Sequence, residues 1–199
     1  MTRKLLTRYI LAVFVLTTVA CGGLRFSQLA PEAKDFHPRK VAVFPIEVWN
    51  HKEMTDSRGV VEQIVAGSLV EKKLFANVMD TESMKQQVSA NEDLRKVVTE
   101  YLSKLRLLNF SDPDLSKKIG ELMKIDAFLL VSVDDWDYTV EKDQKLAKVG
   151  MTMEFYDVST GKLMWKAGHS ITNDYMLIKP ELPKIARDVV RKMINDIPR

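Results

Sequence analysis

Cysteine, histidine and net charge are the scarce commodities of this chain. Cys21 is the sole cysteine among 199 residues, so no disulfide forms within the chain and no second thiol is present for a redox pair. His37, His51 and His169 are scattered, and none sits at helical spacing from another histidine or from the cysteine. That argues against a metal centre built on these side chains. There is no G-x-S-x-G elbow and no glycine-rich phosphate loop, so neither nucleophile-elbow nor phosphate-cradle chemistry is indicated. No apolar run reaches 18 residues, whereas a bilayer core of roughly 30 Å needs about 20. The formal charge of +3 rests on Arg3, Lys4 and Arg8. Without them, 27 basic residues face 27 acidic ones. A nucleic-acid partner, which calls for a basic face, is therefore not expected.

Those three cations open a familiar order of residues. They are followed by an apolar run from Tyr9 to Leu16 and then by Thr18-Val19-Ala20-Cys21. A charged start, a short hydrophobic core and small residues before a cut define a secretory leader. The cysteine at the cut resembles the lipobox of bacterial lipoproteins. The resemblance implies cleavage between Ala20 and Cys21, and acylation of Cys21 with fatty chains of the palmitate class. Two or more chains anchor stably where one does not. Gly22, in the position where Asp favours inner-membrane retention, is similar to lipoproteins sent to the outer membrane. The expectation is a lipid-anchored protein of the outer membrane with its domain facing the periplasm. Residues 1–20 are read as the leader, 21–38 as a lipidated flexible tether, and 39–199 as the folded domain. A 17-residue tether has a reach of roughly 20–25 Å.

Along the domain, Lys40–Val48 (KVAVFPIEV) is apolar on both faces and predicts a buried strand, with an end or bulge at Pro45. A helix is predicted from Thr55 or Asp56 to about Lys73, a short strand over 75–79, and a short helix from Thr81 to about Val88. Leu94, Val97, Val98, Tyr101, Leu102, Leu105 and Leu108 repeat at three and four and predict a longer helix from Asn91. Ser111-Asp112-Pro113 is a helix start. From Asp126 the period changes to two, which predicts three strands. They are separated by a charged loop at 141–145 and by a tight turn at 159–162, where Gly161 supplies a positive φ. A last helix is predicted over 180–197. The fold class is α/β (α+β). A mixed sheet of about five strands ends in an antiparallel meander, covered by four to five helices.

VAVFPIEV, GVVEQIVAGSLVEKKLF, IGELMKIDAFLLVSVDDWDY and MEFYDVSTGKLMWKA, in that order, resemble the curli-secretion-lipoprotein (CsgG-like) superfamily. That superfamily also holds the LpoB-type activators of peptidoglycan synthases and neisserial lipoproteins of unassigned role. The resemblance implies a non-catalytic adaptor or regulator of an envelope protein. The alternative it implies is a structural subunit of an oligomeric envelope or export assembly, hence a homo-oligomer. Channel members carry long amphipathic hairpins, and the five-residue charged loop at 141–145 departs from them. No catalytic, cofactor or metal residue is assigned. Asp134, Asp135 and Asp137 are the nearest approach to an acid cluster, but neighbours on a strand point to opposite faces, so Asp134 and Asp135 should diverge. Trp49 and Trp136, near predicted strand ends, are the candidate partner surface, because interfaces favour exposed tryptophan. Trp165 is expected in the core.

Overall fold

A computed structural model describes residues 24–48 and 57–197. Within them the chain forms a mixed seven-stranded sheet with five α-helices. In chain order these are β1 (Phe26–Leu29), a 3-10 turn (Pro31–Asp35), β2 (Lys40–Val43), β3 (Glu47–Val48), α1 (Arg58–Glu71) and β4 (Asn77–Met79). Then come α2 (Thr81–Ala90), α3 (Glu92–Leu108), α4 (Pro113–Met123), β5 (Ala127–Glu141), β6 (Gln144–Asp157), β7 (Leu163–Tyr175) and α5 (Leu182–Ile194). The strand order is β1-β7-β6-β5-β2-β4, with β3 also on β5. β2 and β4 run parallel, as do β2 and β5, while β5, β6, β7 and β1 are antiparallel.

Local chemistry accounts for most boundaries. Pro45 has no N–H to give the ladder. β2 accordingly stops at Val43 and pairing with β5 resumes at Glu47. Asp80, Asn91 and Asp112 each cap a helix, accepting from the backbone N–H of Ser83, Leu94 and Leu115 at 2.7, 3.0 and 3.2 Å. Pro113 takes the first position of α4, where its missing donor costs nothing. Gly161 has φ +69° in the β6–β7 turn, as its place after Ser159-Thr160 predicts. The charged loop between β5 and β6 is shorter than expected. Two residues, Lys142 and Asp143, close it with positive φ, the primed geometry that matches strand twist.

The sheet is covered on both faces. On the first, α1 and α5 pack over Val43, Leu129, Val131, Val149, Met151, Met153, Phe155 and Trp165. On the second, α2, α3 and α4 pack over Ala42, Phe44, Phe128, Leu130 and Tyr156. The second layer covers β2, β5 and the Tyr156 end of β6, where α3 and α4 pair with each other.

One expectation is overturned. Residues 26–35 were expected in the tether, yet β1 pairs with β7 from Phe26↔Gly168 to Leu29↔Trp165. Ala33 of the 3-10 turn is fully buried, and Leu24 and Phe36 pack against the first core. The tether cannot extend to Pro38. The physical reason is an edge: β7 offers unpaired backbone groups, and β1 satisfies them.

Candidate functional site

The sheet half left open by the helices carries a row of charges, and a β-bulge sets its geometry. β5 and β6 pair Val133 with Met151, but Asp135 with Gly150, so Asp134 is the extra residue. The bulge reverses the alternation beyond it. Asp134 and Asp135, expected on opposite faces, both lie on the second face. Asp134 accepts from Thr152 Oγ1 at 2.8 Å, and the Asp135 carboxylate covers the Cα of Gly150. The same reversal sends Trp136 into the first core, where it is 4% exposed. Its expected place on a partner surface is therefore corrected.

Each of these acids has a cation. Arg25 reaches Asp134 at 2.8 Å, Lys148 reaches Asp135 at 3.0 Å, and Lys166 reaches Glu154 at 2.7 Å. Arg106 Nε donates to Glu47 at 2.6 Å. The Asp135 hydrogen bond, aided by the charges of Asp137 and Glu141, raises the Lys148 pKa. Together with Phe26, Leu105, Asn109, Ser132 and Tyr156, several of these side chains line a cleft of about 400 Å³. Paired, half-exposed charges of this kind are individually weak stabilisers. They give the cleft its polarity. Among the described residues no group of three His, Cys, Asp or Glu is placed to hold a metal ion.

Ser159-Thr160-Gly161-Lys162 has the spacing of a Ser–Lys dyad. The structure separates the two side chains: Ser159 Oγ donates to Asp157 at 2.9 Å, and Lys162 Nζ donates to Glu32 at 2.6 Å. His37 is exposed, and His169 lies half-buried on β7. Burial first, then the charges of Lys192 and Arg25, lower the His169 pKa and favour its neutral ring.

Exposed apolar side chains are concentrated elsewhere, in two places. At the end of α3, Leu107 (80% exposed) and Leu108 stand in solvent, followed by Phe110 after the left-handed Asn109. Leu108 was expected on the inward stripe. α3 outruns its partners, so the stripe is buried only as far as Tyr101 and half-buried at Leu102 and Leu105. The second place is Met176, Leu177 and Ile178, between β7 and α5, and sequence reasoning did not single it out.

Ala20, Cys21, Trp49 and His51 lie outside the described residues. The readings placed on them, the leader cut, the lipidation and one half of the candidate partner surface, have no structural counterpart here. Trp165, expected in the core, is 1% exposed, and its indole N–H donates to Ser27 Oγ at 3.3 Å.

No family model and no curated protein sequence matches this chain. Solved structures do. PelC from Paraburkholderia phytofirmans, solved as a dodecamer, is similar at 18% identity and a TM-score of 0.55, covering 87% of this chain and 95% of PelC. The lipoprotein GNA1162 from Neisseria meningitidis is similar at 15% identity and a TM-score of 0.51, covering 80% of this chain and 99% of its own. The hypothetical protein CT253 from Chlamydia trachomatis is similar at 6% identity and a TM-score of 0.56, covering 80% and 95%. At these identities the likeness is one of fold. The fold is thus one that at least one bacterial lipoprotein adopts.

Proposed function

We propose that this chain is a lipid-anchored envelope protein that works by docking on another envelope protein, without chemistry of its own. The observation that carries the reading is the cluster of Leu107, Leu108 and Phe110, exposed at the end of α3 beside the charged cleft. Contiguous exposed apolar groups rimmed by polar ones mark interaction sites. The cleft beside them is electrostatically satisfied, as a recognition rim requires and an active site generally does not. The leader-like order and the lipobox-like Cys21 favour a domain held at a membrane, and the fold shared with the lipoprotein GNA1162 supports that reading. The anchored terminus, the CsgG-like wording of the sequence and the Gly22 position together favour the outer membrane and a periplasmic domain.

A photoreactive amino acid at Leu108 or Phe110 in the full-length protein tests this in cells. Crosslinks to one envelope protein, lost with a control probe at exposed Lys118 of α4, support docking. A purified domain that hydrolyses an envelope substrate would sink the non-catalytic reading.

The dodecamer of PelC, on the same fold, favours a second reading: a subunit of a homo-oligomeric envelope assembly. Light scattering on the mature protein at tens of micromolar decides it. A strict monomer removes this reading.

A further inference from the structure

We propose that Met176, Leu177 and Ile178 insert into the membrane that holds Cys21, giving the domain a second, non-covalent lipid contact that fixes which pole faces the bilayer. The proposal rests on the reading of Cys21 as the acylated residue.

The loop is unusual in exposure and in support. Met176 and Ile178 are each 86% exposed and Leu177 is 94% exposed. Exposed apolar residues are normally scattered singly, and a contiguous set marks a contact surface. The base of the loop, however, is held. The Tyr138 hydroxyl donates to the Pro180 carbonyl at 2.7 Å. Lys179 Nζ lies 4.6 Å from the Tyr138 ring centre, and the Tyr138 and Tyr175 rings meet edge to face at 6.0 Å. An apolar tip above a pair of tyrosines and a lysine is the vertical order of a bilayer surface, hydrocarbon first and amphipathic rings at the headgroups. Exposed Val140, beside the β5–β6 turn, lies at the same end of the sheet.

Chain length says what covers this tip. β1 is antiparallel to β7, so going back from Leu29 to Phe26 the chain passes from Trp165 to Gly168, toward Tyr175 and the loop. Leu24 is still packed against the first core. Only Gly22 and Gly23 separate it from Cys21, three Cα–Cα steps with a reach of roughly 10 Å. From Phe26 the five residues back to Cys21 reach roughly 17 Å, against roughly 24 Å along β7 from Gly168 to Tyr175. Acyl chains on Cys21 therefore enter the membrane close to the pole that carries Leu177. The charges at that pole balance: Lys142, Lys145 and Lys179 against Glu141, Asp143 and Asp174. Insertion is then driven by apolar burial, and it requires no anionic lipid.

In the acylated protein, Leu177→Cys is the only free thiol, because Cys21 is blocked. An environment-sensitive fluorophore there, in vesicles of phosphatidylethanolamine and phosphatidylglycerol, is expected to shift to the blue and to be quenched by brominated acyl chains. The same probe at Lys118→Cys should stay aqueous. A fluorophore at 177 that stays aqueous overturns the proposal. The loop is tested apart from the anchor in the mature chain carrying Cys21→Ser. Its sedimentation with the same vesicles should fall about tenfold or more when Met176, Leu177 and Ile178 are all changed to serine, and should change little with salt. If mass spectrometry finds Cys21 unmodified but this loss persists, the anchor reading fails and the loop contact stands. If the triple change leaves vesicle binding untouched but abolishes self-association in light scattering, the loop binds protein and the proposal is wrong.

Discussion

Arg25, just ahead of β1, donates to Asp134 on β5 at 2.8 Å, passing over two intervening strands. Gly168 on β7 makes this possible. A Cβ there would lie 2.3 Å from the Phe26 ring and 3.0 Å from the Arg25 guanidinium. Gly168→Ala should therefore push β1 off the sheet edge. The expected loss is about 1–3 kcal/mol in urea unfolding, with amide exchange quickening selectively at Ser27–Leu29. If those amides remain as protected as before, β1 is not held by this contact.

Trp136 and Leu177 separate core from surface. Trp136 is packed beside Val133 and Val149 in the first core, so Trp136→Ala should cost about 3–5 kcal/mol. Leu177→Ser changes a residue with almost no protein contact and should stay within about 0.5 kcal/mol of the parent. Denaturant midpoints read both. A mild Trp136→Ala effect would return that tryptophan to the surface.

That contrast shows where the sequence was legible. α3 and α4 were readable because their caps, Asn91 and Asp112-Pro113, coincide with apolar residues at three and four. β5, β6 and β7 were readable because alternation persists over long stretches. Trp136 was misplaced because a bulge is decided by the partner strand. Val133 and Trp136 share a face only after Asp134 is squeezed out of register with β6. β1 was missed because FSQL is short and largely exposed, with only Phe26 half-buried. Its signal lies in β7, whose edge it completes. The Leu107-Leu108 doublet continued the helical stripe in sequence, and only the end of the packing layer reveals that it is exposed. The carboxylates of the open sheet half were visible as residues, but their shared face was not.

Tyr101 offers a pH test with a definite sign. Burial raises its pKa to about 12, and the charges of Glu154 and Asp112 add to the rise, while its 2.8 Å hydrogen bond with Ser111 opposes it. A tyrosine in an unfolded chain ionises near pH 10. A folded-state pKa above that contributes stability that is complete below about pH 10 and is lost as pH rises toward 12. In alkaline titration at 295 nm Tyr101 should ionise well after an exposed tyrosine. Tyr101→Phe should flatten the alkaline loss of stability and cost about 1 kcal/mol at neutral pH through the lost hydrogen bond. An unchanged alkaline slope in that variant would show that Tyr101 does not contribute to it.

The docking account stands or falls on what touches the end of α3 in the living cell. With a photoreactive side chain at Phe110 in the full-length, membrane-bound protein, mass spectrometry of the crosslinked species should return one dominant envelope protein other than the chain itself. Changing Leu107 and Leu108 to serine should remove that product while leaving the protein folded and membrane-bound. A probe at Phe110 that captures nothing beyond what the Lys118 control captures, or only further copies of the same chain, contradicts the adaptor account.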